Sequence, residues 1–249
     1  MKVGLVSISF RHLTPEQVIS HSVKAGIGTI EWGSDSHLPE TDLENAKRIA
    51  QMTKDAEIQM VSYGSYYKLG KGMDIVPYLE TAKAIDVSII RIWAGTRGSE
   101  KVTDEERKLL VAEAVAVSQK AAEYGITICF EYHPNTLTDN YHSALRLMQE
   151  VNLPNCRLYW QPNYNKSLEE NLEALKAVLP YVDIIHVFYW SEAKDQLPLA
   201  GGRDIWRQFL QISKEKPHIQ YLLEFVPEDH EKHLPEEAAV FQTLMQEEL

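Results

Sequence analysis

Cysteine is nearly absent from this sequence: there are two, Cys129 and Cys156, each inside an apolar run. Two such thiols exclude a disulfide framework or a cysteine-built metal cluster and read as reduced core residues of a cytoplasmic protein. No apolar run approaches the ~20 residues needed to span a bilayer. The opening stretch MKVGLVSISFRH lacks the pattern of a signal peptide, so no membrane partner is expected. Positive charge is scarce, with 25 Lys and Arg against 36 Asp and Glu for a net charge of −11. That balance, with no Lys/Arg cluster, argues against a nucleic-acid surface. Also missing are a Gly-rich dinucleotide fingerprint in the first turn and a Gly/Ser linker that would divide the chain.

What is present is a regular alternation of short apolar runs with amphipathic stretches. Strands are predicted near Lys2–Ser9, Gly28–Trp32, Ile58–Tyr63, Ser88–Trp93, Ile126–Glu131, Arg157–Gln161, Val182–Phe188 and Ile219–Phe225, each followed by a helix. Helix starts are marked chemically. Thr14-Pro15-Glu16-Gln17 supplies a cap, a proline at the first helical position and a capping-box glutamine. Thr103 and Glu106 repeat the box, and Gly125 stops the long helix that follows. Alternating units imply parallel strands with right-handed crossovers. Eight of them over residues 1–249 predict an α/β chain folded as a single (β/α)8 TIM barrel domain.

In such a barrel the functional groups sit at the carboxyl ends of the strands. The most informative stretch is ITICFEYHPNTLTDN, Ile126 to Asn140, an apolar strand that ends in Glu131 and His133. Strand alternation places Thr127, Cys129 and Glu131 on one face, taken as the barrel axis. The same parity puts Glu31, Arg91, His186 and Glu224 on inward faces of other strands, with Tyr63, Gln161, Tyr164 and Trp190 at strand ends. A ring so polar suits a small polyhydroxylated or carboxylated ligand held between aromatic walls. Glu31 and Arg91 can equally pair as a structural ion pair, and His186 can be a hydrogen-bonded core residue. Arg97, Lys71 and Arg203 lie in loops that could reach a phosphate or carboxylate. Ser191–Gly202 is long enough to be a lid or the contact of a homodimer.

The pieces ISFRH, IEWG, IRIWAGTRGS, EYHPNTLTDN, HVFYW, PLAGGRDIW and LEF, spread over nearly the whole chain, resemble the xylose-isomerase-like barrel superfamily. Its dehydroshikimate dehydratase branch is the nearest likeness. The resemblance implies a divalent metal held by Glu, Asp, His and Glu at the ends of strands five to eight. Glu131 and Glu224 match the first and last of these. Gln161 stands at the aspartate position, Phe188 at the ligand histidine, Tyr164 where the pattern has a histidine, and Trp190 where the dehydratase branch has a lysine. A carboxamide is a weak neutral ligand and a phenyl ring none. The expectation is therefore a site that has lost the family metal or holds Mn, Mg or Zn weakly.

The implied activity is that of a sugar or sugar-phosphate isomerase or epimerase. Glu131, Glu224 and His133 would do the proton work, while Glu31, Tyr63, Arg91, Gln161, Tyr164, His186 and Trp190 contact the sugar or hydroxy-acid substrate. Two alternatives stand beside it: dehydration of a dehydroshikimate-like acid, and a barrel that binds a sugar or acid without turning it over.

Overall fold

Eight strands alternate with eight helices in a computed structural model that describes residues 2–191 and 193–249. Met1 and Glu192, the latter within the Ser191–Gly202 segment, lie outside the described residues. The strands are β1 (Gly4–Val6), β2 (Thr29–Gly33), β3 (Gln59–Lys68), β4 (Ile89–Trp93), β5 (Thr127–Glu131), β6 (Cys156–Trp160), β7 (Val182–Val187) and β8 (Gln220–Leu223). Each pairs in parallel with the next, and β8 returns to β1, so the sheet closes into a barrel in chain order. The helices are α1 (Pro15–Lys24), α2 (Leu43–Asp55), α3 (Val76–Ala84), α4 (Asp104–Glu123), α5 (Tyr141–Val151), α6 (Leu168–Val178), α7 (Arg203–Ser213) and α8 (Leu234–Glu248). This is the (β/α)8 architecture that the alternation predicts.

Local chemistry sets the boundaries. Thr14 and Thr103 each cap a helix through a capping box, and Ser167 does the same for α6. Asn140 caps α5 by accepting from the Ser143 amide. Gly125 follows α4 at φ +70°, a conformation that a Cβ would strain. Two strand ends differ from expectation. β1 stops at Val6 and Ser7–Phe10 winds into a 3-10 turn, because Ser7 and Ser9 turn their hydroxyls to the Gly33 and Phe225 amides. β3 continues to Lys68 and stays paired with β4 at Trp93.

Two apolar layers result. The larger lies between sheet and helices and holds Trp32, Ile90, Phe130, Trp160 and Trp206. The smaller fills the barrel with Val6, Ile8, Cys129, Tyr159, Ile184 and Leu222. The inner layer forms a packed floor, and the polar strand ends stand directly above it. No helix among the described residues is long and apolar enough to cross a membrane.

Candidate active site

Parity carries each site residue inward from its strand. Glu131 is the last residue of β5, two beyond the floor residue Cys129, and Glu224 follows β8, two beyond Leu222. His186 of β7 lies two beyond Ile184 and level with Leu222. One donor atom from each of Glu131, His186 and Glu224 falls within 4.8 Å of the others. His186 Nδ1 is the hub, 3.1 Å from Glu224 Oε2, 3.1 Å from Gln161 Oε1 and 3.8 Å from Glu131 Oε1. All three members of the triad are buried.

Below and beside this cluster runs a line of charge. Arg91, buried on β4, donates from Nη1 to Glu131 Oε2 at 2.6 Å. Its Nε stands 3.2 Å from Glu31 Oε1. The other oxygen of Glu31 accepts from Ser62 Oγ at 2.8 Å and Tyr159 Oη at 2.7 Å. A Cβ on Gly64 would come within 2.5 Å of Glu31 Oε1, so that glycine is required by close approach rather than by its backbone.

The electrostatics follow from this packing. Burial favours the neutral acid at Glu224, yet His186 and Arg91 outweigh it and hold the carboxyl below its usual range. Burial also opposes a charged His186, but Glu224, Glu31 and Glu131 overcome it and raise the imidazole above its ordinary value. Three buried carboxyl groups, those of Glu31, Glu131 and Glu224, thus gather around the Arg91 guanidinium and the His186 imidazole.

Above the cluster opens a cavity of about 320 Å³ whose lining includes Arg91, Glu131, His133, Gln161, Tyr164, Phe188, Trp190 and Glu224. Its walls are aromatic. Trp190 contacts Tyr164, Phe188 and Phe225 at ring separations of 5.3 to 5.4 Å. Across from them His133 stacks on Trp93 at 4.5 Å. His133 Nδ1 lies 2.7 Å from the Pro134 carbonyl, an acceptor only, so that nitrogen carries the proton and Nε2 is left as the basic atom of the neutral ring. At the rim Arg11 pairs with Asp35 at 2.7 Å and donates to Tyr66 Oη at 2.6 Å.

The structure thus brings together Glu131, Glu224, His133, Arg91, Gln161, His186, Tyr164 and Trp190. It does not bring Tyr63. Tyr63 is buried against the helical layer and its hydroxyl donates to the Leu38 carbonyl at 2.8 Å, so the expected substrate contact is corrected to a packing role. Its parity is the cause: Ser62, its neighbour, takes the inward face. Glu31 likewise does not line the cavity and reaches it only through Arg91. Among the loop cations, Arg97 pairs with Glu106 and Arg203 with Glu247, and neither they nor Lys71 line the cavity. Tyr159 and Ser62 went unnoticed in the sequence, although both share the inward parity of their strands.

The expectation of a weak divalent site gains a nitrogen donor: His186, two residues before the Phe188 at the family's histidine position, lies with Glu131 and Glu224 in a group that could hold a metal ion. Two carboxylates, an imidazole and the Gln161 carboxamide make a mixed oxygen and nitrogen set that suits a borderline divalent cation. Three buried carboxyl groups gathered around one guanidinium and one imidazole suit the same ion. These residues could hold Zn, Mn or Mg, with Phe188 contributing only wall.

Comparison with known proteins agrees with the barrel fold. Over an alignment of 169 residues the chain is 27% identical to a 3-dehydroshikimate dehydratase of Bacillus anthracis, covering 64% of this chain and 60% of the relative's length. The crystal structure of the probable 3-DHS dehydratase AsbF from Bacillus anthracis superposes with a TM-score of 0.82 at 21% identity, covering 97% of this chain and 99% of that one. The IOLI protein with a bound zinc atom gives 0.76 at 17%, covering 100% and 99%, and an L-ribulose 3-epimerase gives 0.71 at 13%, covering 99% and 95%. The xylose isomerase-like TIM barrel family model matches residues 19–222. On that match, over most of its length, the chain belongs to the xylose isomerase-like TIM barrel family.

Proposed function

We propose that this chain removes a carbon-bound proton next to the carbonyl of a small, ring-shaped hydroxy acid and that loss of water follows. The observation that carries the proposal is convergence: Glu131, His186 and Glu224 meet at the base of one aromatic-walled cavity lined also by His133, whose Nδ1 is engaged by the Pro134 carbonyl. Flat aromatic walls suit a ring, and Arg11 at the rim suits its carboxylate. Likeness to a 3-dehydroshikimate dehydratase supports the same chemistry.

Glu131, His186, Glu224 and Gln161 would hold a divalent cation, which when bound polarises a carbonyl and stabilises the oxygen anion that forms beside it. The chain's own residues do the rest. His133 takes the proton at Nε2, with the Pro134 carbonyl fixing its tautomer and Trp93 its ring plane. The same ring, now protonated, returns a proton to the departing hydroxyl, so water leaves and the ring regains its starting state. Arg91 holds Glu131 in place, and the Tyr164, Phe188 and Trp190 wall keeps bulk water from the anion.

The test is to incubate dehydroshikimate with the protein and Mn, Mg or Zn and follow the ultraviolet absorbance of the aromatic product. Product formation that Glu131→Gln abolishes supports the reading, and silence with every ion removes it. A second reading, epimerisation or isomerisation of a sugar, draws on the two carboxylates that share the cavity. It is supported by deuterium entry into ketoses or aldoses in heavy water with no loss of water. Tight ligand binding with neither outcome would mark a binding barrel instead.

A further inference from the structure

Glu31 lies beneath the cavity wall, yet five strands are arranged around its bond to Arg91. We infer that Glu31 is a positioning residue that sets the divalent-cation affinity of the site through Arg91 and Glu131, an inference that rests on the cation reading proposed above. Arg91 has a carboxylate on each side: Nη1 donates to Glu131 Oε2 at 2.6 Å and Nε stands 3.2 Å from Glu31 Oε1. Glu31 itself is held on its other oxygen by Ser62 of β3 and Tyr159 of β6. Gly64 keeps a side chain out of the space where Glu31 and Arg91 meet.

Two consequences follow for a cation. Arg91 occupies Glu131 Oε2, so Glu131 turns its other oxygen, Oε1, toward His186. Glu31 shares the guanidinium charge, so that charge does not fall on Glu131 alone. Replace the Glu31 carboxyl by a neutral amide and the site loses one acidic group, while Arg91 draws harder on the ligand Glu131. Both effects act at short range in a site shielded from water and weaken the hold on a divalent ion. Were Glu31 only a structural counterion of Arg91, its removal would lower stability and leave cation affinity alone.

Calorimetric titration of Mn²⁺ into metal-free protein separates these outcomes. Glu31→Gln keeps the shape and the acceptor for both hydroxyls. It is expected to weaken Mn²⁺ binding by about 10- to 100-fold, the usual effect of residues behind a metal's direct ligands. Tyr159→Phe, which removes one hydrogen bond and keeps the ring, is expected to weaken it a few-fold and serves where Glu31→Gln fails to fold by circular dichroism. Wild-type binding with affinity unchanged within about twofold in a folded variant overturns the inference and leaves the cation reading intact. A flat wild-type titration overturns both, and the dehydration assay then reports separately whether the chemistry survives without the ion.

Discussion

Gly64→Ala probes the buried charge line by adding one methyl group. An added Cβ would lie 2.5 Å from Glu31 Oε1 and 3.0 Å from Arg91 Nη2. Gly64 is not among the residues with positive φ, so alanine suffers no backbone strain there and the cost is contact alone. Ordinary contact begins near 3.4 Å, so Glu31 must retreat by most of an ångström. It cannot do so freely, because Ser62 and Tyr159 grip its other oxygen at 2.8 and 2.7 Å. Overpacking of this kind costs about 1–3 kcal/mol, and breaking the ion pair outright would take the loss toward about 3–5 kcal/mol. At about 3 kcal/mol, and roughly 2–4 °C per kcal/mol for a chain of this size, the melting temperature should fall by about 6–12 °C. Thermal melts followed by circular dichroism measure this, with Gly125→Ala as comparison. That glycine has φ +70° and no atom within 4 Å of an added Cβ, so its cost is backbone strain of about 1–2 kcal/mol. If Gly64→Ala melts no lower than Gly125→Ala, the charge line is looser than described and the reasoning fails.

Other expectations follow from the same contacts. His133→Gln should lower the dehydration rate constant by about 10²–10⁴ with KM nearly unchanged, and a loss confined to KM would assign His133 to binding. Thr103→Ala removes the acceptor for the Glu106 amide and should cost about 1 kcal/mol in urea unfolding. Burial pushes the Cys129 thiol well up and that of Cys156 up to about 12. A thiol reagent should therefore label neither in the native protein and both after denaturation. Burial also raises the Glu237 carboxyl, against the Leu199 amide from which it accepts. A raised folded pKa gives a stability contribution present at low pH and lost as pH climbs through it. Glu237→Gln should accordingly be the more stable form at pH 8, with the advantage shrinking toward pH 4.

Much of the fold is written in periodicity, which is local and can be read residue by residue. Capping boxes at Thr14 and Thr103 and the Gly125 stop place helices to within a residue or two. Glu131 and Glu224 stand out because an acid ending an apolar strand needs a reason. Other features depend on which of two faces turns inward, and a one-residue difference reverses that assignment. Tyr63 and Ser62 exchanged roles in this way, whereas the inward parity of His186 held. The Ser7 and Ser9 turn and the Glu31–Tyr159 bond join residues far apart in sequence, and no window along the chain contains both partners. Such contacts come into view only with the barrel closed.

Closure has its own consequence for how the molecule matures. Glu224 lies just past the final strand, while Glu131 and His186 come from the fifth and seventh, so the donor set is complete only when β8 docks between β7 and β1. An unfinished chain emerging from the ribosome presents isolated acids and imidazoles but no converged site. On the cation reading proposed above, ion capture would be the last event of synthesis and would stabilise only the closed form, a built-in reporter of correct ring assembly.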